Sequence, residues 1–139
     1  MKRLLQLIAG IAIAVIAFAA PAHAGDKDPL FVNLTTDDPH RANMGITFGG
    51  NQHGRGHPLT IFLNDRAVLI GAKSGVNRFG PHQKALADLM GKGATVLICA
   101  MCMRHYGVEV ADLLPEIRVA NPELTGEAIF REGTKALTW

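Results

Sequence analysis

Both cysteines of this 139-residue chain fall in one stretch, V-L-I-C-A-M-C-M-R-H-Y-G-V at residues 96–108. Cys99 closes a short aliphatic run, Cys102 follows three residues later, and His105 three after that. A cysteine is a nucleophile as its thiolate, and the free N–H groups and dipole at a helix start favour that anion. Cys99 stands where a strand should give way to a helix, which makes it the preferred reactive residue. Cys102 is its auxiliary. On a helix Cys102 and His105 share a face, so the imidazole could exchange a proton with the thiol. A disulfide between residues so close in sequence closes a tiny loop and constrains the unfolded chain little, so the pair is poorly explained as a structural staple.

The same stretch carries two thioethers, Met101 and Met103, and soft sulfur ligands suit copper(I). Against that, neighbouring helical positions cannot all face one ion, and methionine commonly fills core gaps. Arg104 could place positive charge near a thiolate or simply be an exposed helix residue. His40, His53, His57 and His82 read as solvated positions, and Asp37 and Asp38 as helix-capping residues. The glycines at positions 49, 50, 54 and 56 lack the strand, G-x-G-x-x-G and helix context of a dinucleotide site. No cofactor and no resident metal is therefore expected.

Residues 1–24 have the layout of a secretory signal: Lys2 and Arg3, an apolar run, then Pro21 and small residues ending at Ala24. The expected division is a signal peptide at 1–24 and one domain at 25–139, exported to the periplasm. Without Lys2 and Arg3 the basic and acidic residues balance, so electrostatics give no case for nucleic acid. No later apolar run is long enough to span a bilayer, so no membrane association is expected after cleavage.

The elements that must position the cysteines alternate. Strands are expected at residues 30–35, 59–63, 95–99, 117–119 and 135–138, from their β-branched and aliphatic content. Between them, helices are expected from Pro39 to about Gly49, over 66–72, from Pro81 to Gly91, through Gly107 and over 108–114, and from Asn121 to about Glu132. Turns are expected at 49–57 and 74–80. Strand and helix alternation implies a mainly parallel five-stranded sheet with helices on both faces, a three-layer α/β domain. Ligands in such sheets bind beyond the carboxyl ends of the strands, where Cys99 lies.

An apolar strand ending on Cys99 is followed by Gly107-Val108, the chain ends Ala136-Leu137-Thr138-Trp139, residues 37–42 open a helix, and strand 59–63 enters residues 64–68. In these features the chain resembles the DsrE/DsrF-like family of sulfur-relay proteins. That resemblance implies a small flavodoxin-like fold, homo-oligomeric assembly, and a cysteine that accepts sulfur as a persulfide and passes it on. By its distance to Gly107 that cysteine is Cys99. The partners implied are sulfur donor and acceptor proteins or small sulfane-sulfur compounds. The expected function is thus a periplasmic sulfur carrier, with a C-x-x-C dithiol redox protein or a non-catalytic Cu(I)-binding module as alternatives.

Overall fold

The computed structural model describes residues 27–139, so the expected signal peptide lies outside the described residues. The strands are β1 (Leu30–Leu34), β2 (Leu59–Leu63), β3 (Thr95–Ile98), β4 (Arg118–Val119) and β5 (Lys135–Thr138). The helices between them are α1 (Pro39–Gly54), α2 (Val76–Met90), α3 (Ala100–Tyr106) and α4 (Pro122–Ile129). All strand pairings are parallel, in the order β4-β3-β2-β1-β5. The three-layer α/β class expected from the alternation is the one observed, although the strand order is not that of flavodoxin itself.

Alternation along the strands explains the layers. Val32, Leu34, Ile61, Leu63, Val96 and Ile98 share one face and are at most 1 % exposed, packed under α1 and α2. Burying each such side chain contributes roughly 1.5–3 kcal/mol. Met103 of α3 joins the same core, so α3 leaves β3 towards this face. Phe31, Phe62 and Leu97 point to the opposite face, where the two phenylalanine rings meet at 6.2 Å. Pro122 and Thr125 of α4 share a cavity with Phe62, which puts α4 on that second face.

Several expected boundaries move, each for a packing reason. Helix α1 runs through Gly45, Gly49 and Gly50 to Gly54, so most of the turn expected at 49–57 is helical. Those glycines let the helix approach closely: a Cβ at Gly45 would lie 3.2 Å from the Trp139 ring, and one at Gly49 3.1 Å from Leu59. That contact offsets a propensity cost of about 1 kcal/mol per glycine. Helix α2 begins at Val76, ahead of Pro81, because Phe79 is buried and anchors the first turns. In place of the helices expected over 66–72 and 108–114 there are 3-10 turns at Asp65–Leu69 and Val110–Asp112. Helix α4 stops at Ile129, short of Glu132.

Register then delivers the edge. Asn64 N–H donates to Leu34 O at 2.8 Å, Cys99 N–H to Leu63 O at 2.9 Å, and Ala120 N–H to Ile98 O at 2.8 Å. The residues just past β2, β3 and β4 are therefore level with one another. Because α3 and α4 leave the adjacent strands β3 and β4 towards opposite faces, the carboxyl edge opens between them. Among the described residues, no helix is long and apolar enough to cross a membrane.

Candidate functional site

Cys99 is the N-cap of α3. Its backbone is extended, and its Sγ accepts a hydrogen bond from Cys102 N–H at 3.3 Å. The helix ends at Gly107, whose φ of 69° is the left-handed conformation that glycine adopts without strain. Cysteine is therefore seated at a strand end by the ladder bond from its own N–H and at a helix start by its side chain. Both thiols are free and half-buried.

The two sulfurs face different surroundings. Cys99 lines an open crevice of about 540 Å3 with Phe62, Ala100, Met101, Arg104, Ala120, Asn121, Pro122 and Thr125. Cys102 is turned to the loop after β2: its thiol donates to Asn64 Oδ1 at 3.1 Å, and Asp65 N–H donates to its Sγ at 3.3 Å. Burial, chiefly, pushes the Cys102 thiol above its ordinary range, and the neighbouring Cys99 thiol adds to the rise. The Asp65 N–H opposes it. The raised titration favours the protonated thiol of Cys102 near neutral pH.

Asp65 is itself unusual, a non-glycine residue at φ 46°. Its backbone N–H is held by both Asn64 Oδ1 and Cys102 Sγ, and its carboxylate accepts from the Tyr106 hydroxyl. The bond to Asp65 raises the phenol's titration, because ionising it would forfeit that bond beside a carboxylate. Next to it, Arg66 donates to Asp37 through Nε at 2.7 Å and Nη2 at 2.9 Å. Arg78 from α2 adds Nη1 to the Asp37 carboxylate and Nη2 to the Asp37 carbonyl, both at 3.0 Å. The Arg66 bond, first, holds the Asp37 carboxyl below its usual range against the opposing effect of burial. These contacts tie the loops after β1 and β2 to α2 and α3.

The profile of the DsrE/DsrF-like family matches residues 14–132. The chain belongs to the DsrE/DsrF-like family. Solved structures agree on the fold. MTH1491, a protein of unknown function from Methanobacterium thermoautotrophicum, superposes with a TM-score of 0.68 at 16 % identity, over 81 % of this chain and 100 % of that one. BT1422, a conserved protein of unknown function from Bacteroides thetaiotaomicron, gives 0.62 at 23 % identity over 81 % and 95 %. The ychN protein from E. coli gives 0.59 at 16 % over 81 % and 99 %. A search of the curated proteins finds no match. DsrE/DsrF-like membership points to a sulfur-relay-type role with sulfur-relay partners in general.

Of the three site residues expected from the sequence, Cys99 and Cys102 are brought together. His105 is exposed, its ring meets Tyr106 edge-on at 4.7 Å, and the polar partners of Cys102 are Asn64 and Asp65 instead. Met101 and Met103 diverge, one 69 % exposed at the crevice and the other 3 % exposed in the core, which separates the thioethers a shared copper site would need. Among the described residues no three His, Cys, Asp or Glu side chains group as metal ligands.

Asp38 caps α1 as expected, accepting from Arg41 N–H at 2.8 Å. Asp37 does not: it is the 7 % exposed acceptor of two arginines. A helix has one N-cap, so the second aspartate was the available signal in the sequence. Asn64, Asp65, Arg66, Arg78 and Tyr106 carried no spacing that linked them to the cysteines.

Proposed function

We propose that this protein is an exported, periplasmic sulfur carrier that holds sulfur as a persulfide on Cys99, with Cys102 as auxiliary thiol, and that it works as a homo-oligomer once residues 1–24 are removed. The observation that carries the reading is the asymmetry of the pair: Cys99 lines an open crevice, while Cys102 is hydrogen-bonded to Asn64 and Asp65. In loading, the Cys99 thiolate attacks the outer sulfur of a donor persulfide. The donor's S–S bond breaks, its thiolate leaves with the electron pair and takes up a proton, and Cys99 keeps the new S–S bond. An acceptor thiolate unloads the protein by the same exchange. Attack by Cys102 on Cys99 Sγ is the reductive exit: it forms a Cys99–Cys102 disulfide and expels hydrosulfide, and the two thiols lose the two electrons that the sulfane sulfur gains. Because Cys102 is held protonated, that exit is slow near neutral pH and the persulfide survives to meet its acceptor.

Intact-mass analysis after exposure to a sulfane-sulfur donor tests this. The expected result is an adduct of one sulfur atom that is lost in Cys99→Ser and retained, with a longer lifetime, in Cys102→Ser. No adduct with any donor sinks the reading. The proximity of the two thiols favours dithiol redox exchange as a second reading; loading that requires both cysteines, with a readily formed disulfide, would select it.

A further inference from the structure

Resting on that reading, we infer that Arg104 makes the Cys99 crevice selective for anionic sulfane-sulfur donors, small persulfides carrying a carboxylate or a comparable negative group near the sulfur. The inference begins with which charges are already spent. Around the carboxyl edge of the sheet, Arg66 and Arg78 both bind the Asp37 carboxylate. Arg104, on α3, has no hydrogen bond or ion pair to any described residue. It lines the same crevice as Cys99, and no acidic residue lines that crevice with it. Arg104 also borders a neighbouring cavity of about 320 Å3 that includes Glu109, with which it forms no ion pair.

The remaining walls fit such a donor. Phe62, Ala100, Met101, Ala120 and Pro122 are apolar and can pack on a donor's carbon chain, while the Arg104 guanidinium supplies charge-assisted hydrogen bonds to its anionic end. Asn121, which also lines the crevice, spends its Oδ1 on Leu124 N–H at 2.8 Å as the cap of α4, and its amide N–H groups have no partner among the described residues. A guanidinium and an amide thus offer donors beside a nucleophilic sulfur. Such a set receives the negative end of a donor whose outer sulfur meets Cys99. The chemistry is the exchange already given: Cys99 bonds the outer sulfur, the donor S–S bond breaks, and the donor leaves as its thiolate, still anionic at its far end.

Two matched probe pairs separate this inference from the carrier reading. Iodoacetate and iodoacetamide differ in charge and report on Cys99 without any sulfur transfer. The persulfides of N-acetylcysteine and N-acetylcysteamine differ by one carboxylate and report on loading. On the whole chain lacking residues 1–24, the rate ratio of the carboxylate-bearing probe to its carboxylate-free partner at Cys99 should fall about tenfold in Arg104→Gln in both pairs, be partly kept in Arg104→Lys, and shrink with added salt. Arg55→Gln, which removes an equal charge at the C-terminal cap of α1, should leave the ratio unaltered. An iodoacetate-to-iodoacetamide ratio that is the same in wild type and Arg104→Gln overturns the role of Arg104, whether or not Cys99 loads. A ratio that depends on Arg104 while neither persulfide loads Cys99 upholds the anion selectivity and overturns the carrier reading alone.

Discussion

The two flanks of α3 differ in how far their polar groups are already satisfied. On the flank facing the loop after β2, Asp37, Arg66, Arg78, Asn64, Asp65, Cys102 and Tyr106 bond to one another or to nearby backbone. On the flank facing β4, Cys99 accepts one backbone N–H and Arg104 has no partner among the described residues. A bonded network fixes geometry, and its members are costly to move; a nucleophile held by one backbone N–H and a cation with no partner among the described residues, both beside an open cavity, are free to meet something else. The contrast assigns rigidity to one flank and reactivity to the other, and a single seven-residue helix with its Cys99 cap contributes to both.

The largest expected effect comes from cutting the bonded flank at its centre. Asp37 is nearly buried and holds two guanidinium groups that are themselves about half exposed, 51 % and 53 %. Asp37→Asn should cost about 2 kcal/mol, less than for a fully buried pair because water screens the arginines. Urea unfolding followed by the fluorescence of Trp139, the single tryptophan, measures it. The folded-state pKa of Asp37 lies below its ordinary 3.8. Its contribution is therefore complete above the unfolded pKa and is lost as pH falls through the folded one. Wild type should lose stability on acidification below about pH 4, and Asp37→Asn should lack that component. An Asp37→Asn protein as stable as wild type, with the same acid limb, would show that the network is ornamental.

How much of this contrast was legible beforehand depends on the range of the signal. Cys99 and Cys102 stood three residues apart in a recognisable strand-to-helix passage, so local spacing sufficed to find them. Their polar supports did not: Asn64 is 38 residues from Cys102, Tyr106 is 41 from Asp65, and Arg78 is 41 from Asp37. Only the parallel register that levels the ends of β1, β2 and β3 brings them together. Helix propensity misjudged α1 for a related reason, since the advantage of Gly45 and Gly49 lies in contacts with Trp139 and Leu59 that no window of neighbours contains. His105 was selected by helical spacing to Cys102, and it is the loop after β2, approaching from another strand, that occupies the thiol instead.

A middle-sized effect tests the thiols directly. Near neutral pH, iodoacetamide should label Cys99 about tenfold faster than Cys102, since a raised thiol pKa lowers the thiolate fraction and the bonds to Asn64 and Asp65 occupy the Cys102 sulfur while Cys99 lines the open crevice. Labelling of Cys102 should climb at higher pH, with its midpoint above the ordinary value of 9.0. Peptide mapping of a quenched time course reads both sites in one sample. Equal rates would erase the distinction between the two flanks, and a faster Cys102 would reverse the roles of carrier and auxiliary.

The smallest expected effect is a shift in one phenol, and the sequence makes it easy to observe because Tyr106 is the only tyrosine. The bond to Asp65 should raise its titration above the ordinary 10.0, visible in the ultraviolet absorbance of the phenolate. Asp65→Asn keeps a side chain tolerated at positive φ and keeps the backbone N–H that reaches Cys102, but removes the negative charge. The Tyr106 midpoint should then move down towards 10.0, and the Cys102 thiol should also ionise slightly more easily, since the Asp65 charge disfavours both anions. The sign for stability follows. A raised folded-state pKa gives a contribution that is present below the unfolded value and lost as pH rises through the folded one, so alkali should loosen the bonded flank while the crevice flank is untouched. A wild-type Tyr106 that titrates at its ordinary value would mean that the loop after β2 does not hold α3 in solution. Cys102 would then be as free as Cys99, and the pair would be better suited to disulfide exchange than to carrying sulfur.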